Sequence, residues 1–159
     1  MMRHFLCALA LLCASPVPSF GADTPADGAE GIVGTWLTEK GEVRVKIERD
    51  GDGKFFGTIV WMNEPVYPEG DPEAGKPCRD RENPDKARRN DPILGMRLLS
   101  GFEFDGKNTW KKGTVYDAET GNTYKATLTL AGPDSLKLRG YIGISLLGRN
   151  TTWTRQSGE

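Results

Sequence analysis

Short segments of alternating apolar and polar residues, separated by turns, occupy most of this chain of 159 residues. In residues 42–49, for example, Val43, Val45 and Ile47 alternate with charged side chains. A period of two residues buries one face of a β-strand and leaves the other face in water. Glycine-containing turns, such as the one at residues 50–53, are typical of β-hairpins. Because no long segment has the 3.6-residue period of an amphipathic helix, the sequence predicts an all-β fold.

The alternation predicts eight strands, at residues 32–38, 42–49, 54–62, 95–104, 109–116, 122–130, 135–144 and 149–155. Most of them are joined by short turns, which suits a single up-and-down antiparallel β-barrel whose closure removes exposed sheet edges. A two-sheet sandwich is the main alternative. A barrel of this size has an interior that either is filled by side chains or holds one small ligand.

One long loop, at residues 63–92, interrupts the strands and is rich in proline and charged residues. Within it we predict a short helix, with Asn83 as the N-cap, Pro84 in the first helical position and residues 87–89 at the end. Loops of this length are uncommon in compact domains and often carry function, so the loop is a candidate binding element.

Two motifs bracket the strands and predict how the sheet closes. Gly34-Thr35-Trp36 lies in the first predicted strand, and Arg155 lies in the last. A tryptophan and an arginine at these places meet only if the two ends of the sheet come together. We therefore predict a cation–π contact between Trp36 and Arg155 that closes a small barrel, with Gly34 beside it.

The same motifs resemble the signature of the calycin superfamily, which includes lipocalins, fatty-acid-binding proteins and avidins. Further segments are similar, in their order along the chain, to an exported bacterial family known as domain of unknown function 2147. These segments are Gly57-Thr58-Ile59-Val60-Trp61, Asn83-Pro84-Asp85, Val115-Tyr116-Asp117 with Gly121, and Leu138-Arg139-Gly140-Tyr141-Ile142-Gly143. The resemblance covers about residues 31–155. It implies a lipocalin-like barrel outside the cytoplasm and provides no catalytic residues.

The first 21 residues have the pattern of a secretion signal. Arg3 and His4 precede an apolar stretch at residues 5–14 that is too short to form a stable membrane anchor. Small residues at positions 19 and 21 suit a signal peptidase, so we place the cut after Gly21. We expect a periplasmic or secreted protein with a signal peptide at residues 1–21, a flexible lead-in at 22–30 and one barrel domain at 31–156.

Loss of the signal peptide would limit the available chemistry. His4, Cys7 and Cys13 would leave with it, so that the mature chain has no histidine and has Cys78 as its one cysteine. A Ser-His-Asp triad, a Cys-His pair and a histidine metal site would then be impossible within one chain. We expect a non-enzymatic protein with no metal and no cofactor. Cys78 would be shielded, made reactive by its basic neighbours, or linked to a second chain.

Charge and hydropathy argue against two further classes of partner. The mature chain would carry 20 Lys and Arg against 22 Asp and Glu, a net charge of −2, with no long block of one sign. Nucleic-acid binding therefore lacks its usual electrostatic signature. No later segment is long and apolar enough to serve as a transmembrane helix.

Several regions are candidate binding sites, each with a structural alternative. Apolar residues of the predicted interior either line a ligand pocket or pack against one another: Val43, Val45, Ile47, Leu128, Leu138 and Ile142. Leu146 and Leu147, at a predicted hairpin tip, would form a portal, a docking point or a plug. Loop arginines such as Arg88 would hold a carboxylate or phosphate head group, or would form surface ion pairs. Two sets of carboxylates match no complete calcium loop, namely Asp117 with Glu119 and Asp80 with Glu82 and Asp85. Asp117 with Gly121 more readily shapes a turn.

Two functions follow from these observations. The first is an exported protein that binds a small apolar or amphipathic ligand inside the barrel. The alternative is a structural or interaction module with a filled barrel that docks an envelope protein or a membrane. An enzyme that uses only carboxylates, Tyr or Ser ranks third. A large interior cavity would favour binding, and a packed interior would favour the interaction module.

Overall fold

The computed structural model of the protein describes residues 28–142 and 148–157. In these residues, eight antiparallel strands form a closed barrel in the order of the sequence. The strands are β1 (Gly34–Leu37), β2 (Val43–Arg49), β3 (Phe55–Met62), β4 (Arg97–Phe104), β5 (Thr109–Asp117), β6 (Asn122–Gly132), β7 (Ser135–Tyr141) and β8 (Arg149–Gln156). Since β8 pairs with β1, the sheet has no free edge. The predicted up-and-down barrel is confirmed, and the sandwich alternative is wrong.

Trp36 and Arg155 close one end of the barrel, as predicted. They face each other in the β1–β8 pair, and the guanidinium carbon lies 4.2 Å from the centroid of the indole. The guanidinium also donates hydrogen bonds to the carbonyl oxygens of Gly31, Val33 and Pro133, at 2.6, 2.9 and 2.7 Å. One side chain therefore ties together the segment before β1, the first strand and the β6–β7 turn.

A 3-10 helix at Ala29–Ile32 packs at this closed end. The indole nitrogen of Trp36 donates to the Ile32 carbonyl at 2.8 Å, and that of Trp110 donates to the Ala29 carbonyl at 3.1 Å. Because these two bonds fix the helix, Ile32 belongs to it rather than to the first strand, and β1 begins at Gly34. Ala29 and Glu30, which lie in the predicted flexible lead-in, are also part of this helix.

The long loop lies at the opposite end, together with the β1–β2 and β5–β6 connections. We call this the open end. The loop contains a 3-10 helix at Lys86–Arg88, which is later and shorter than predicted. Asp85 caps it by accepting a hydrogen bond from the Ala87 amide at 3.0 Å. Asn83 is not the cap, because its side chain donates to Asp80 at 2.7 Å and accepts from the Asp85 amide at 2.9 Å.

None of the helical segments in the described residues has the length and apolar character needed to cross a bilayer.

Candidate functional site

Aromatic side chains fill the closed half of the barrel. Trp36, Trp110, Phe55 and Phe102 are almost completely buried, and Phe55 meets Trp110 edge to face with 6.2 Å between ring centroids. The Phe102 ring lies so close to Gly113 that a Cβ at this position would overlap it. Aromatic rings therefore occupy the volume in which a ligand of a hollow barrel would sit.

Packing continues toward the middle of the barrel at Gly57. A Cβ on this residue would lie 2.8 Å from Cγ1 of Val45 and 3.0 Å from Cδ1 of Leu99. Real Cβ atoms do not approach so closely, because protein interiors are packed like organic crystals. The wall at Gly57 is thus already covered by two neighbouring side chains.

Only some of the residues predicted to line the interior are buried there. Four are buried in the core, namely Val45, Ile47, Leu128 and Leu138, and Val43 packs against them at its edge. Ile142 is 76% exposed, so its predicted place in the interior is wrong: β7 ends at Tyr141, and the alternation no longer directs the next side chain inward. Leu146 and Leu147 lie outside the described residues.

An open cleft of about 640 Å³ lies at the open end, between the long loop and strands β4, β5 and β6. Gly113 and Val115 contact the core, so the alternate residues Thr114 and Tyr116 point outward from β5. The cleft is therefore on the outer side of the barrel wall. It is lined by Asp80, Asn83, Pro84, Arg88, Asp91, Pro92, Leu94, Gly95, Met96, Arg97, Leu98, Ser100, Thr114, Tyr116 and Thr123.

The cleft combines an apolar strip with charged groups. Leu94, which is 49% exposed, lies close in sequence to Met96 and Leu98, and all three line the cleft. Arg88 also lines it, where its Nε donates to Asp91 at 3.1 Å. A second arginine, Arg97, stacks over the ring of Phe56 with 4.0 Å to the centroid. Such a surface suits a molecule with both an apolar and a polar part.

A buried carboxylate fixes the loop wall of the cleft. Asp80 is only 1% exposed, and its two oxygens accept hydrogen bonds from the Tyr116 hydroxyl at 2.8 Å and from the Asn83 amide at 2.7 Å. Burial, together with this carboxylate, raises the pKa of Tyr116 to about 12. The phenol therefore stays protonated and keeps donating at neutral pH, which holds the loop against β5.

A second contact, between the long loop and the β5–β6 turn, also fixes the loop wall of the cleft. Gly121 adopts a φ of 69°, and a Cβ on this residue would overlap the carbonyl oxygen of Glu82. Only glycine satisfies both requirements at this position. The loop wall is thus attached at β5 and at the turn that follows it.

Arginines of the loop form an ion-pair network, which is the structural alternative to head-group binding. Arg81 donates to Asp71 at 2.7 and 2.8 Å and to Glu73 at 2.9 and 3.2 Å, and it stacks on Tyr67 with 3.4 Å to the ring centroid. Arg79 also pairs with Glu73. The hydrogen bonds from Arg81 lower the pKa of Asp71 to about 2. These two arginines brace the loop internally.

Cys78 is partly buried in the same loop. Its Sγ donates to the Glu64 carbonyl with 3.6 Å between sulfur and oxygen, and burial raises the pKa of the thiol. The raised pKa favours the shielded thiol over the alternative of a thiol made reactive by its basic neighbours, although Arg81 does act to lower the pKa. Burial outweighs the nearby charge because the cations are already paired with carboxylates.

Asp117 shapes the β5–β6 turn, as the structural alternative predicted. Its side chain accepts hydrogen bonds from the Glu119 amide at 3.0 Å and from the Thr120 hydroxyl at 2.8 Å. In residues 28–142 and 148–157, no group of three or more His, Cys, Asp or Glu side chains is placed to hold a metal ion.

Sequence reasoning found Arg88 but missed most of the cleft. The alternation shows that Thr114, Tyr116 and Thr123 face outward, but it does not show what covers them. The contact that forms the cleft joins Asp80 to Tyr116, which lie 36 positions apart. The only local signal is the length of the loop itself, which marks it as a candidate without giving its docking position.

The closed barrel and its Trp–Arg contact define a lipocalin-like protein. Residues 34–155 match the family described as "Uncharacterized protein conserved in bacteria (DUF2147)", so the chain belongs to that family. In fold it is similar to "Protein HP1028 from the human pathogen Helicobacter pylori", which is described as a member of the lipocalin family. The TM-score is 0.66 at 24% identity, with 79% of this chain and 82% of that chain covered. No curated protein matches the chain.

Proposed function

We propose that this protein is exported to the bacterial envelope and binds a small amphipathic molecule there without transforming it. The observation that carries the proposal is the cleft of about 640 Å³ at the open end, with its apolar strip beside two arginines. Small-molecule sites commonly measure about 300–1,000 Å³ and combine apolar walls with a few polar groups. The lipocalin-like fold of the relative from H. pylori is consistent with a binding role.

In this proposal the ligand lies in the cleft rather than in the barrel interior. Phe102 against Gly113, and Val45 and Leu99 against Gly57, already occupy the interior at these two positions. The cleft, in contrast, is open to solvent and its loop wall is held in place before any ligand arrives. A site that is formed in advance loses less entropy on binding.

Export is supported by the N-terminal sequence, in which Arg3, an apolar stretch at residues 5–14 and small residues before position 22 follow one another. Cell fractionation followed by N-terminal sequencing tests it. We expect a mature chain that begins at Ala22 and is found in the periplasm or the medium. A chain that keeps Met1 and remains in the cytoplasm would overturn this part of the proposal.

Binding is tested by extracting the purified protein with organic solvent and analysing the extract by mass spectrometry, together with titration of a fluorescent fatty acid. The Leu94→Asp variant places a charge in the apolar strip, so we expect it to lose the co-purified molecule and to bind the probe at least about fivefold more weakly. Val60→Asp is the matched control, because Val60 is 44% exposed against 49% for Leu94 and does not line the cleft.

Loss of binding in both variants, or in neither, would argue against the cleft as the site. Absence of any extracted molecule and of any probe binding by the wild-type protein would argue against a binding function altogether.

The filled interior also favours the alternative of an interaction module. Three apolar residues beyond the cleft are substantially exposed near the end of β3 and in the following loop, namely Val60, Trp61 and Val66. Trp61 is covered on one face by Arg44, with 4.8 Å from the guanidinium carbon to the ring centroid. Cross-linking in envelope extracts, with Val66→Asp as the comparison, tests this function. A single partner captured by the wild type and lost in the variant would support it.

A further inference from the structure

A second depression, of about 600 Å³, lies beside the cleft on the outer face of β5, β6 and β7. Its lining includes the three lysines Lys111, Lys112 and Lys125 and the hydroxyls of Thr114 and Thr127. Among the described residues that form this lining there is no carboxylate. Ammonium groups next to hydroxyl donors are suited to a phosphate, sulfate or carboxylate group.

A β-bulge in β5 brings two of these lysines to the surface. The pairing of β5 with β6 shifts between Trp110 and Gly113, both of which face the core. Lys112 adopts a φ of 62°, a conformation that few residues other than glycine take. Because two residues instead of one lie between the inward positions, Lys111 and Lys112 are both exposed. Bulges often redirect side chains next to binding sites.

The surrounding wall keeps the depression positive. Strands β6, β7 and β8 contain lysine and arginine but no aspartate or glutamate. Lys111 pairs with Asp105, which follows β4, and Lys112 pairs with Glu103 on β4. Exposed ion pairs of this kind contribute little to stability. Lys125 forms no ion pair within the described part of the chain.

The depression is continuous with the cleft. Thr114 lines both of them, and it lies opposite Lys125 in the β5–β6 pair. The next outward pair toward the open end is Tyr116 with Thr123, which belongs to the cleft alone. Neighbouring outward positions on a strand are about 6.7 Å apart, so one small molecule reaches from one subsite into the other.

Charge distinguishes the two subsites. The cleft contains the cations Arg88 and Arg97 but also the carboxylates Asp80 and Asp91, so its charges balance. The lining of the depression contains lysines and no carboxylate; two of these lysines pair with carboxylates at its edge, and Lys125 keeps its charge without such a pair among the described residues. The apolar strip lies only in the cleft. An anionic group is therefore favoured at the lysines, and an apolar group is favoured under the loop.

On the basis of the proposed binding function, we infer that the ligand is an amphipathic anion that spans both subsites. Its phosphate, sulfate or carboxylate head lies in the depression with Lys112, Lys125 and Thr114. Its apolar part lies in the cleft along Leu94 and Met96. This arrangement assigns head-group recognition to the lysines of the barrel wall rather than to Arg88.

The inference is tested by calorimetric titration with octyl phosphate and with octyl glucoside, which share a tail and differ in the charge of the head. We expect wild-type protein to bind octyl phosphate more tightly, with an affinity that falls as salt is raised. Lys125→Ala should weaken octyl phosphate about fivefold, and Lys125→Glu should weaken it further. Binding of octyl glucoside should stay unchanged in both variants.

Lys46→Ala is the matched control, because Lys46 is a half-exposed lysine on β2 that pairs with Glu48 at 2.8 Å, and it lines neither subsite. Equal binding of both probes, with no effect of Lys125→Ala, would overturn the inference and leave the proposed function standing. Failure of both probes to bind would count against the proposed function itself.

Two further binding experiments identify the source of the anionic group. Inorganic phosphate should bind much more weakly than octyl phosphate, because it does not use the cleft; equal affinities would overturn the two-part site. Phosphatidylglycerol vesicles test whether the lysines instead meet a membrane surface. Sedimentation with these vesicles in the absence of octyl phosphate binding would also overturn the inference.

Discussion

Removal of the closure contact should destabilise the barrel strongly, and Arg155→Ala is the change that tests this. The Arg155 side chain is 26% exposed, donates to three backbone carbonyl oxygens and covers the Trp36 indole at 4.2 Å. A hydrogen bond from a charged donor contributes about 1.5–3 kcal/mol, and a cation–π contact contributes about 0.5–2 kcal/mol. Water can replace part of the three hydrogen bonds, since the site is not fully buried.

We therefore expect a loss of about 4 kcal/mol in the free energy of unfolding, below the simple sum of these contributions. For a folded domain of this size, a loss of 1 kcal/mol lowers Tm by about 3–4 °C, which gives a decrease of about 12–16 °C. The assay is thermal and urea unfolding followed by the fluorescence of the buried tryptophans, with near-UV circular dichroism to check that the variant is folded at low temperature.

Two matched variants separate the contact from a general effect of removing an arginine. Arg149→Ala removes an exposed arginine from the same strand and should change stability by less than about 0.5 kcal/mol. Arg155→Lys keeps a cation near Trp36 but lacks the planar fork, so it should fall between the wild type and Arg155→Ala. An Arg155→Ala protein that melts within 3 °C (about 1 kcal/mol) of wild type would refute the closure argument. Ligand affinity of the folded variant should not change, because the cleft lies at the other end.

Three smaller predictions test other parts of the structure. Gly113→Ala forces a Cβ into the aromatic ring that lies against it, and should lower the free energy of unfolding in urea by about 1–3 kcal/mol. Gly140→Ala is the control and should lower it far less, because its new Cβ meets its nearest neighbour at 3.5 Å. Asp71 should titrate near pH 2 by NMR, and Arg81→Met should raise that pKa, so the stabilisation from this pair is present above pH 4 and is lost as pH falls toward 2. Tyr116 should ionise near pH 12 in an ultraviolet titration. Its hydrogen bond therefore stabilises the loop fully below pH 10, and this stabilisation is lost between pH 10 and 12. A Tyr116 that ionises near pH 10 would contradict the buried contact.

Strands and closure could be predicted because their signals are local or lie at the ends of the chain. Alternation along residues 42–49 depends only on which face of the strand is buried, and β2 at Val43–Arg49 follows it closely. The Trp36–Arg155 contact joins distant residues, but the closed sheet brings its first and last strands together in any case. The prediction therefore needed only the fold and the two residue types.

Element ends were harder to predict because they depend on distant partners. The helix at Ala29–Ile32 is held partly by Trp110, which lies 81 positions away from the Ala29 carbonyl that it contacts. The end of β7 at Tyr141 leaves Ile142 exposed although the alternation alone would continue it inward. Neither effect leaves a mark in the local sequence.

The distinction between a hollow and a filled barrel depends on fine packing. Two interior positions lack a side chain, Gly57 and Gly113, and neighbouring side chains occupy the space beside them. In the sequence these glycines are typical of bulges or weak strand positions. Only the three-dimensional arrangement shows that their missing side chains make room for Leu99 and Phe102.

Different residues stabilise the barrel and provide the proposed ligand contacts in this protein. The buried hydrophobic residues, such as Trp36, hold the barrel closed, and none of them lines the cleft or the basic depression. Met96 and Leu98, which line the cleft, pack against this core from outside. The residues that would contact a ligand, such as Leu94 and Lys125, lie outside the core and contribute little to its packing. Ligand preference can therefore change by substitution on the outer wall without opening a cavity in the core. In a barrel with a hollow centre, the same residues would have to line the ligand and support the fold at once.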